Sequence, residues 1–206
     1  MKIAHFFGLT VALAFSVFSA QAESPPASVT APNNATAIFA GGCFWCIEKD
    51  FEKLPGVIEV ESGYTAGRTK NPSYEAVSAG GTGHAEAVRV IYDPKKLSYP
   101  QLLEYFWRHI DPTVKDRQFC DVGTQYRSGI YWQNETERKA AEDSRDALLK
   151  SARFKVIYTE LAPASAFYLA EEYHQDYYKK NPVRYNYYRA SCGRDARVAE
   201  VWGEKK

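Results

Sequence analysis

Between residues 36 and 133 the hydrophobic period alternates between two and about three and a half, and that alternation sets the fold class. Residues 36–40 are a short β-prone run ending at Gly41-Gly42. Phe44, Ile47, Phe51 and Leu54 then recur at helical spacing until Pro55-Gly56 stops the helix. Residues 57–64 and 86–92 alternate as strands, with Val88, Val90 and Tyr92 on one face, and a Gly/Ser/Asn-rich loop covers residues 63–83 between them. Ser98 caps a second helix with Pro100 in its first turn and Leu102, Leu103, Phe106 and Trp107 as its apolar stripe. Residues 126–133 read as a strand.

The order strand, helix, strand, strand, helix, strand is that of a ferredoxin-like, split βαβ plait. It is an α+β fold with an antiparallel or mixed sheet and helices on one face. A charged helix is predicted from Asn134 to about Ser151, with Ala140, Ala147 and Leu148 inward. A strand over 154–161, an aromatic-rich helix over 166–180 and a C-terminal stretch of extra helix and coil would wrap around the plait.

The start of the chain is different. Residues 1–22 read as a secretory signal peptide, with Lys2 as the positive start, an apolar run and the small-x-small site Ala20-Gln21-Ala22. The run is shorter than a bilayer span and is broken by His5, Gly8 and Thr10. Residues 23–36, rich in Pro, Ser and Asn, read as a linker, leaving 37–206 as a single catalytic domain. The expectation is an exported, periplasmic protein with no membrane segment after cleavage. Basic and acidic side chains balance, 26 against 25, which lacks the footprint of a nucleic-acid partner. With a 45% hydrophobic composition, 206 residues can bury a full core.

The chemistry is expected at the cysteines. Cys43 follows Gly41-Gly42 at a helix start, where backbone N–H groups favour an anion and should lower its thiol pKa. That makes it a candidate nucleophile, against the alternative of a small buried hydrophobe. Cys46 completes a Cys-x-x-Cys pair, a redox spacing. Cys192 sits in a Cys-Gly tail that can bring a second thiol to the first, or can be inert, or can pair with Cys120 in a structural disulfide. Cys120 by itself has no legible role. A zinc site drawing on all four sulfurs is a weaker alternative, because only one close pair is present. Glu86 shares its strand face with Val88 and Val90, an apolar setting that would raise a carboxyl pKa and suit a proton donor, although for Glu86 alone a solvated strand-end glutamate is the plainer reading. His84 reads as a loop hydrogen-bonding residue. Trp45 lies off the core stripe and is free to face a ligand. The tyrosine-rich end, including Tyr177 and Tyr188, reads as packing surface.

Several blocks in order then give a specific resemblance: Gly42-Cys43-Phe44-Trp45, Ser62-Gly63-Tyr64, Asn71-Pro72-Ser73-Tyr74, Gly83-His84-Ala85-Glu86-Ala87-Val88, Gly123-Thr124-Gln125-Tyr126-Arg127-Ser128 and Glu171-Glu172-Tyr173-His174-Gln175-Asp176-Tyr177. Across residues 38–182 the chain resembles the type A peptide methionine sulfoxide reductases. The resemblance implies reduction of the S-epimer of methionine sulfoxide, free or in proteins. It makes Cys43 the attacking thiolate and Glu86 the proton donor to the sulfoxide oxygen. Tyr74 and Tyr126 would hydrogen-bond that oxygen beside Asp121, and Phe44 and Trp45 would hold the substrate methyl. It implies no cofactor, an external thioredoxin-like dithiol as reductant, and a monomer. Cys192 matches the common resolving position. Two departures matter: Cys46 stands where many relatives have Gly, making it the alternative resolving thiol, and Arg194-Asp195 replaces a glycine-rich continuation. The rival activity is thiol–disulfide exchange through Cys43 and Cys46. The rival without catalysis is a zinc-stabilised binding module.

Overall fold

The computed structural model describes residues 34–203. The predicted signal peptide and most of the predicted linker lie outside the described residues. The linker's last two residues do not behave as linker, because the first strand already begins at Ala35.

The elements follow in chain order: β1 (Ala35–Gly41), α1 (Phe44–Glu52), β2 (Val57–Thr65), α2 (Tyr74–Ser78), β3 (Ala85–Tyr92), α3 (Tyr99–Trp107), β4 (Arg117–Gln118), β5 (Asp121–Val122), a 3₁₀ turn (Thr124–Tyr126), β6 (Ser128–Trp132), α4 (Glu135–Lys150), β7 (Glu160–Pro163), β8 (Tyr168–Leu169), α5 (Tyr177–Lys180), α6 (Pro182–Ser191) and α7 (Arg194–Trp202). The main sheet runs β7-β6-β1-β3-β2-β8. Its central strands, β6-β1-β3-β2, pair antiparallel in the split βαβ order, as the hydrophobic periods predict. β7 adds parallel to β6 and β8 antiparallel to β2.

Strand alternation divides the sheet into two faces. Ala37, Phe39, Val88, Val90 and Ile130 meet Phe44, Ile47 and Phe51 of α1 and Leu102, Leu103 and Phe106 of α3 in one core. Phe39, fully buried, stacks on Phe51 at 5.1 Å and on Phe106 at 4.9 Å between ring centres. Small residues, Ala40, Ala85 and Ala87, with Ile38 and Tyr131, form the other face, under Ala164 and Phe167. Helices therefore occupy one face and an irregular segment covers the other.

Local predictions fail where tertiary partners override the period. A bulge between Val57 and Glu59 of β2 leaves Ile58 54% exposed while Val60 stays buried. Within the predicted 63–83 loop, Ser73 accepts from the Ala76 N–H at 3.3 Å and starts α2, a helix too short to show a period. Residue 126 belongs to the 3₁₀ turn, so β6 begins later than predicted. In α4, capped by Asn134 through the Glu137 N–H at 2.9 Å, Ala141 is the buried residue and Ala147 is exposed. The strand predicted over 154–161 shrinks to β7, because Phe154 turns inward onto Trp202 at 5.1 Å.

The helix predicted over 166–180 is absent from most of that range. Residues 168 and 169 instead extend the sheet at β2, and the Gln175 side chain continues the pairing. It accepts the Ser62 N–H and donates to the Ser62 carbonyl, both at 2.8 Å. A helix would forfeit those bonds. The C-terminal stretch, predicted as extra helix and coil, is helical as α6 and α7, joined at Gly193 with φ +67°. Among the described residues no helix is long and apolar enough to cross a membrane.

The turn from β1 into α1 needs glycine. Gly42 has φ +84°, and a Cβ there would fall 2.6 Å from the Cβ of Gln118. Gln118 cannot yield easily, since its side chain accepts the Asp111 N–H at 2.9 Å and donates to the Asp111 carbonyl at 2.7 Å. Gly42→Ala should therefore lower unfolding free energy by roughly 1–3 kcal/mol, read from urea midpoints. Gly193→Ala, where nothing lies within 4 Å of the added carbon, should lose less. Equal losses at the two sites would show that the Gln118 contact is not what restricts Gly42.

Candidate active site

The β1–α1 turn places Cys43 as the N-cap of α1, 6% exposed, with Phe44 and Trp45 in the first helical turn. β3 brings Glu86, α2 brings Tyr74, β5 brings Asp121, the 3₁₀ turn brings Tyr126 and α6 brings Tyr188. Together they line a cavity of about 80 Å³. All the residues that the sequence nominated for attack, proton donation and substrate contact thus converge on one small space. Tyr188, read from sequence as packing surface, joins them.

Glu86 carries the main electrostatic feature. Its side chain faces the helical layer with Val88, is 2% exposed, and accepts the Phe44 N–H at 3.1 Å through Oε2. Burial penalises the carboxylate and pushes the group up to about 8, while the Phe44 hydrogen bond and neighbouring charges are smaller influences. At neutral pH Glu86 is therefore mostly the acid. Burial also raises Tyr74, to about 12, and Tyr126 further, so both keep their hydroxyl protons. Asp121 is raised by burial against the bond from the Tyr188 hydroxyl, which donates to Oδ2 at 2.6 Å.

The cysteine pair departs from the sequence expectation. The Cys43 thiol is pushed well above its ordinary value by burial, then by its hydrogen bond to Cys46 and the charges of Cys46, Glu86 and Asp121. The first N–H of α1 is taken by Glu86, so the helix terminus does not serve the thiol. Cys46 moves the other way, to about 7, chiefly by accepting that hydrogen bond, against burial and with help from Arg194 and Arg189. Of the two thiols, Cys46 is therefore the more acidic.

An outer layer fixes the aromatic wall. The Trp45 Nε1–H donates to His174 Nδ1 at 3.0 Å, which makes His174 neutral with its proton on Nε2. His174 lies 4.4 Å from the Tyr74 ring and 5.0 Å from Phe44, and Trp45 stacks on Tyr177 at 3.8 Å. Glu171 accepts the Tyr74 N–H and the Tyr64 hydroxyl, both at 2.8 Å. Glu171, His174 and Tyr177 all fall in a block the sequence displayed, yet their roles depend on partners more than ninety residues away. As expected, His84 is a loop residue, with Nε2 at 2.7 Å from the Thr69 carbonyl.

The four sulfurs form two pairs rather than one set. Cys43 and Cys46 are free and buried. Cys120 and Cys192 are joined in a disulfide with Cα atoms 5.0 Å apart. Cys192 is the C-cap of α6 rather than part of a loose tail, and its sulfur lies 4.0 Å from Asp121 Oδ2 at the cavity wall. In this state Cys192 offers no thiol to Cys43.

A soft nucleophile thus faces a protonated carboxyl and phenolic donors across a space sized for a small group. A family model described as peptide methionine sulfoxide reductase matches residues 35–206. The peptide methionine sulfoxide reductase MsrA 2 of Caulobacter vibrioides is 50% identical over 192 residues, covering 93% of this chain and 95% of the relative. The MsrA of Bacillus licheniformis is 50% identical over 170 residues, covering 82% of this chain and 94% of its own. Methionine sulfoxide reductase A of Corynebacterium diphtheriae superposes with a TM-score of 0.70 at 35% identity, covering 75% of this chain and 78% of that one. Reduced Mxr1 of Saccharomyces cerevisiae gives 0.69 at 34% identity, covering 73% and 87%.

The Glu86 shift has a stability signature. A carboxyl raised in the fold stabilises fully below its unfolded value, and that contribution is lost as pH rises through the folded value near 8. Relative to Glu86→Gln, the parent protein should lose stability by up to about 1.4 kcal/mol per pH unit across that window. Denaturant melts from acid to mildly alkaline pH measure the difference. Parallel curves for the two proteins would mean that Glu86 is already ionised in the fold.

Proposed function

The chain belongs to the peptide methionine sulfoxide reductase family, type A, and on that premise we propose how its cavity performs the reaction. The protein is an oxidoreductase that reduces methionine S-sulfoxide to methionine by thiol chemistry. The observation that carries the residue assignment is the meeting of Cys43 and a protonated Glu86 in one cavity with Tyr74 and Tyr126. Oxygen is a poor leaving group until protonated, so a thiol alone does not suffice. Disulfide exchange needs no such oxygen-directed donors, which favours sulfoxide reduction over the rival activity.

The substrate methyl packs on Phe44 and Trp45, and the sulfoxide oxygen points at the hydroxyls of Tyr74 and Tyr126 and at Glu86. A sulfoxide sulfur carries partial positive charge, and placed against Cys43 it favours the thiolate that burial disfavours in the empty site. Cys43 attacks that sulfur as Glu86 protonates the oxygen. The oxygen passes to Cys43 as a sulfenic acid, the thiol proton returns to Glu86, and the thioether leaves with two more electrons. Asp121, bonded to Tyr188, borders the same space.

Cys46 is the first resolving thiol. It is free and buried one helical turn from Cys43, whereas Cys192, the first choice from sequence, is joined to Cys120. The resulting Cys43–Cys46 disulfide is reset by an external dithiol of the thioredoxin kind. The protein acts as an exported, periplasmic monomer on free or protein-bound methionine sulfoxide, without a prosthetic cofactor. The predicted signal peptide and the Cys120–Cys192 disulfide both support an oxidising compartment.

Glu86→Gln should slow the first turnover by about 10²–10⁴-fold, measured as methionine formed from one equivalent of the S-sulfoxide. Cys46→Ser should release that first equivalent at the parent rate and then hold a sulfenic acid that dimedone traps, with no recycling by dithiol. Recycling by Cys46→Ser at the parent rate, abolished when Cys192 is also replaced, would transfer the resolving role to Cys192.

A further inference from the structure

Asp121 lines the cavity from β5, and β5 lies outside the main sheet. It pairs with β4 in a separate hairpin of two residues per strand, with Gln118 opposite Asp121. A two-stranded ribbon that short is marginal by itself and takes its position from what it is tied to. The β4 side is held from inside the fold. Gln118 is fully buried on the Asp111 backbone, and the Arg194 guanidinium, 1% exposed, lies 4.4 Å from the Phe119 ring centre. The β5 side is tied to the end of α6.

That tie has three parts. Cys120 is bonded to Cys192, the Cys120 N–H donates to the Cys192 sulfur at 3.2 Å, and the Tyr188 hydroxyl donates to Asp121 Oδ2 at 2.6 Å. Tyr188 and Cys192 are one turn apart on α6, joined by the Cys192 N–H to the Tyr188 carbonyl at 2.9 Å. The Cys120 and Cys192 sulfurs lie 3.7 and 4.0 Å from the two Asp121 carboxylate oxygens. The covalent bond and the Asp121–Tyr188 hydrogen bond therefore run side by side between the same two elements. Asp121 and Tyr188 both line the cavity with Cys43, and the two bonded cysteines stand outside its lining.

We infer that Cys120 and Cys192 are positioning residues for substrate binding, their disulfide holding Asp121 and Tyr188 in place as one wall of the sulfoxide cavity. The inference rests on the reading of that cavity as the sulfoxide site. The reacting groups are held differently, since Cys43 and Glu86 are joined through the Phe44 N–H, between α1 and β3 of the main sheet. Opening the disulfide should therefore loosen the grip on substrate and leave the attack intact. A cavity of about 80 Å³ is sensitive to such a change, because shifting one wall strips contacts from a group as small as a methyl sulfoxide. Reduction by an external dithiol makes two thiols of Cys120 and Cys192 and a disulfide of the reductant. It leaves the β5–α6 tie to hydrogen bonds alone.

The test is the initial rate of the first turnover, without added reductant, at graded concentrations of free methionine S-sulfoxide. Parent protein with Cys43 and Cys46 free and the Cys120–Cys192 bond intact is compared with the double replacement Cys120→Ser and Cys192→Ser, which leaves no stray thiol. The half-saturating concentration should rise roughly tenfold, with the limiting rate at the parent value. Tyr188→Phe should raise it in the parent and add little in the double replacement, since both act on the same wall. An unchanged half-saturating concentration, a limiting rate that falls with the grip, or strictly additive effects with Tyr188→Phe would overturn the inference. If the serine variant does not fold, the parent itself decides. Reduced with dithiothreitol until Cys120 and Cys192 react with a thiol reagent, then freed of dithiol, it should show the same rise, and an unmoved value refutes the role. Parent protein that forms no methionine would instead defeat the reading of the cavity.

Discussion

The hydrogen bond from the Phe44 N–H to the Glu86 carboxyl is the joint on which the site is built. It connects the first turn of α1 to the centre of β3, and each side depends on the other. The sheet register puts Glu86 opposite Tyr64, deep in the helical layer, where a carboxylate would be costly. The helix supplies one N–H, enough to satisfy an oxygen but not to keep the group ionised against full burial. The result is a carboxylic acid at neutral pH with an oxygen fixed beside Cys43. The same bond removes the helix terminus as a source of thiol activation. Activation then depends on bound substrate, so an empty site keeps a guarded thiol rather than a reactive one.

The aromatic wall shows how far such a joint needs support. Trp45 is anchored by His174, backed by Tyr177 and edged by Tyr188, whose ring stands at 83° to it. The segment carrying His174 is irregular because its polar side chains, Glu171 and Gln175, bind the backbone of other elements. A helix over those residues would satisfy its own backbone and release Tyr74, β2 and Trp45 together. Irregular structure here is the more strongly bonded alternative.

What was legible in the sequence follows from whether the cause was local. The plait was legible because the period of Phe44, Ile47 and Phe51 and the alternation of Val88 and Val90 record which face each element buries. Glu86 was legible only in part: alternation put it on the face of Val88 and Val90, but a solvated strand-end glutamate was the plainer reading, and its role as proton donor came with the family resemblance. The cavity residues were legible as blocks, but their assembly rests on the family resemblance. The 166–180 segment misled, because its apolar spacing fits a helix while its polar residues answer to Ser62 and Tyr74, far along the chain. The Cys43 pKa misled because a helix N-terminus was counted without asking which acceptor already held its N–H. Tyr188 and Arg194 carried no local signal, since both lie in helices whose inward faces are set by contacts with α1 and β5.

The two sulfur pairs divide along the same line. Cys120 and Cys192 lie at the rim, where β5 and the end of α6 meet, and their bond joins positions 72 apart in sequence. Cys43 and Cys46 lie inside, free and buried, with Cys43 lining the cavity that also holds Glu86. The proposed chemistry makes two demands on such a pair: the attacking sulfur stays neutral until a substrate brings positive charge to it, and a second thiol reaches the sulfenic acid before it is oxidised further. A spacing of one helical turn at the start of α1 meets both demands with one short segment.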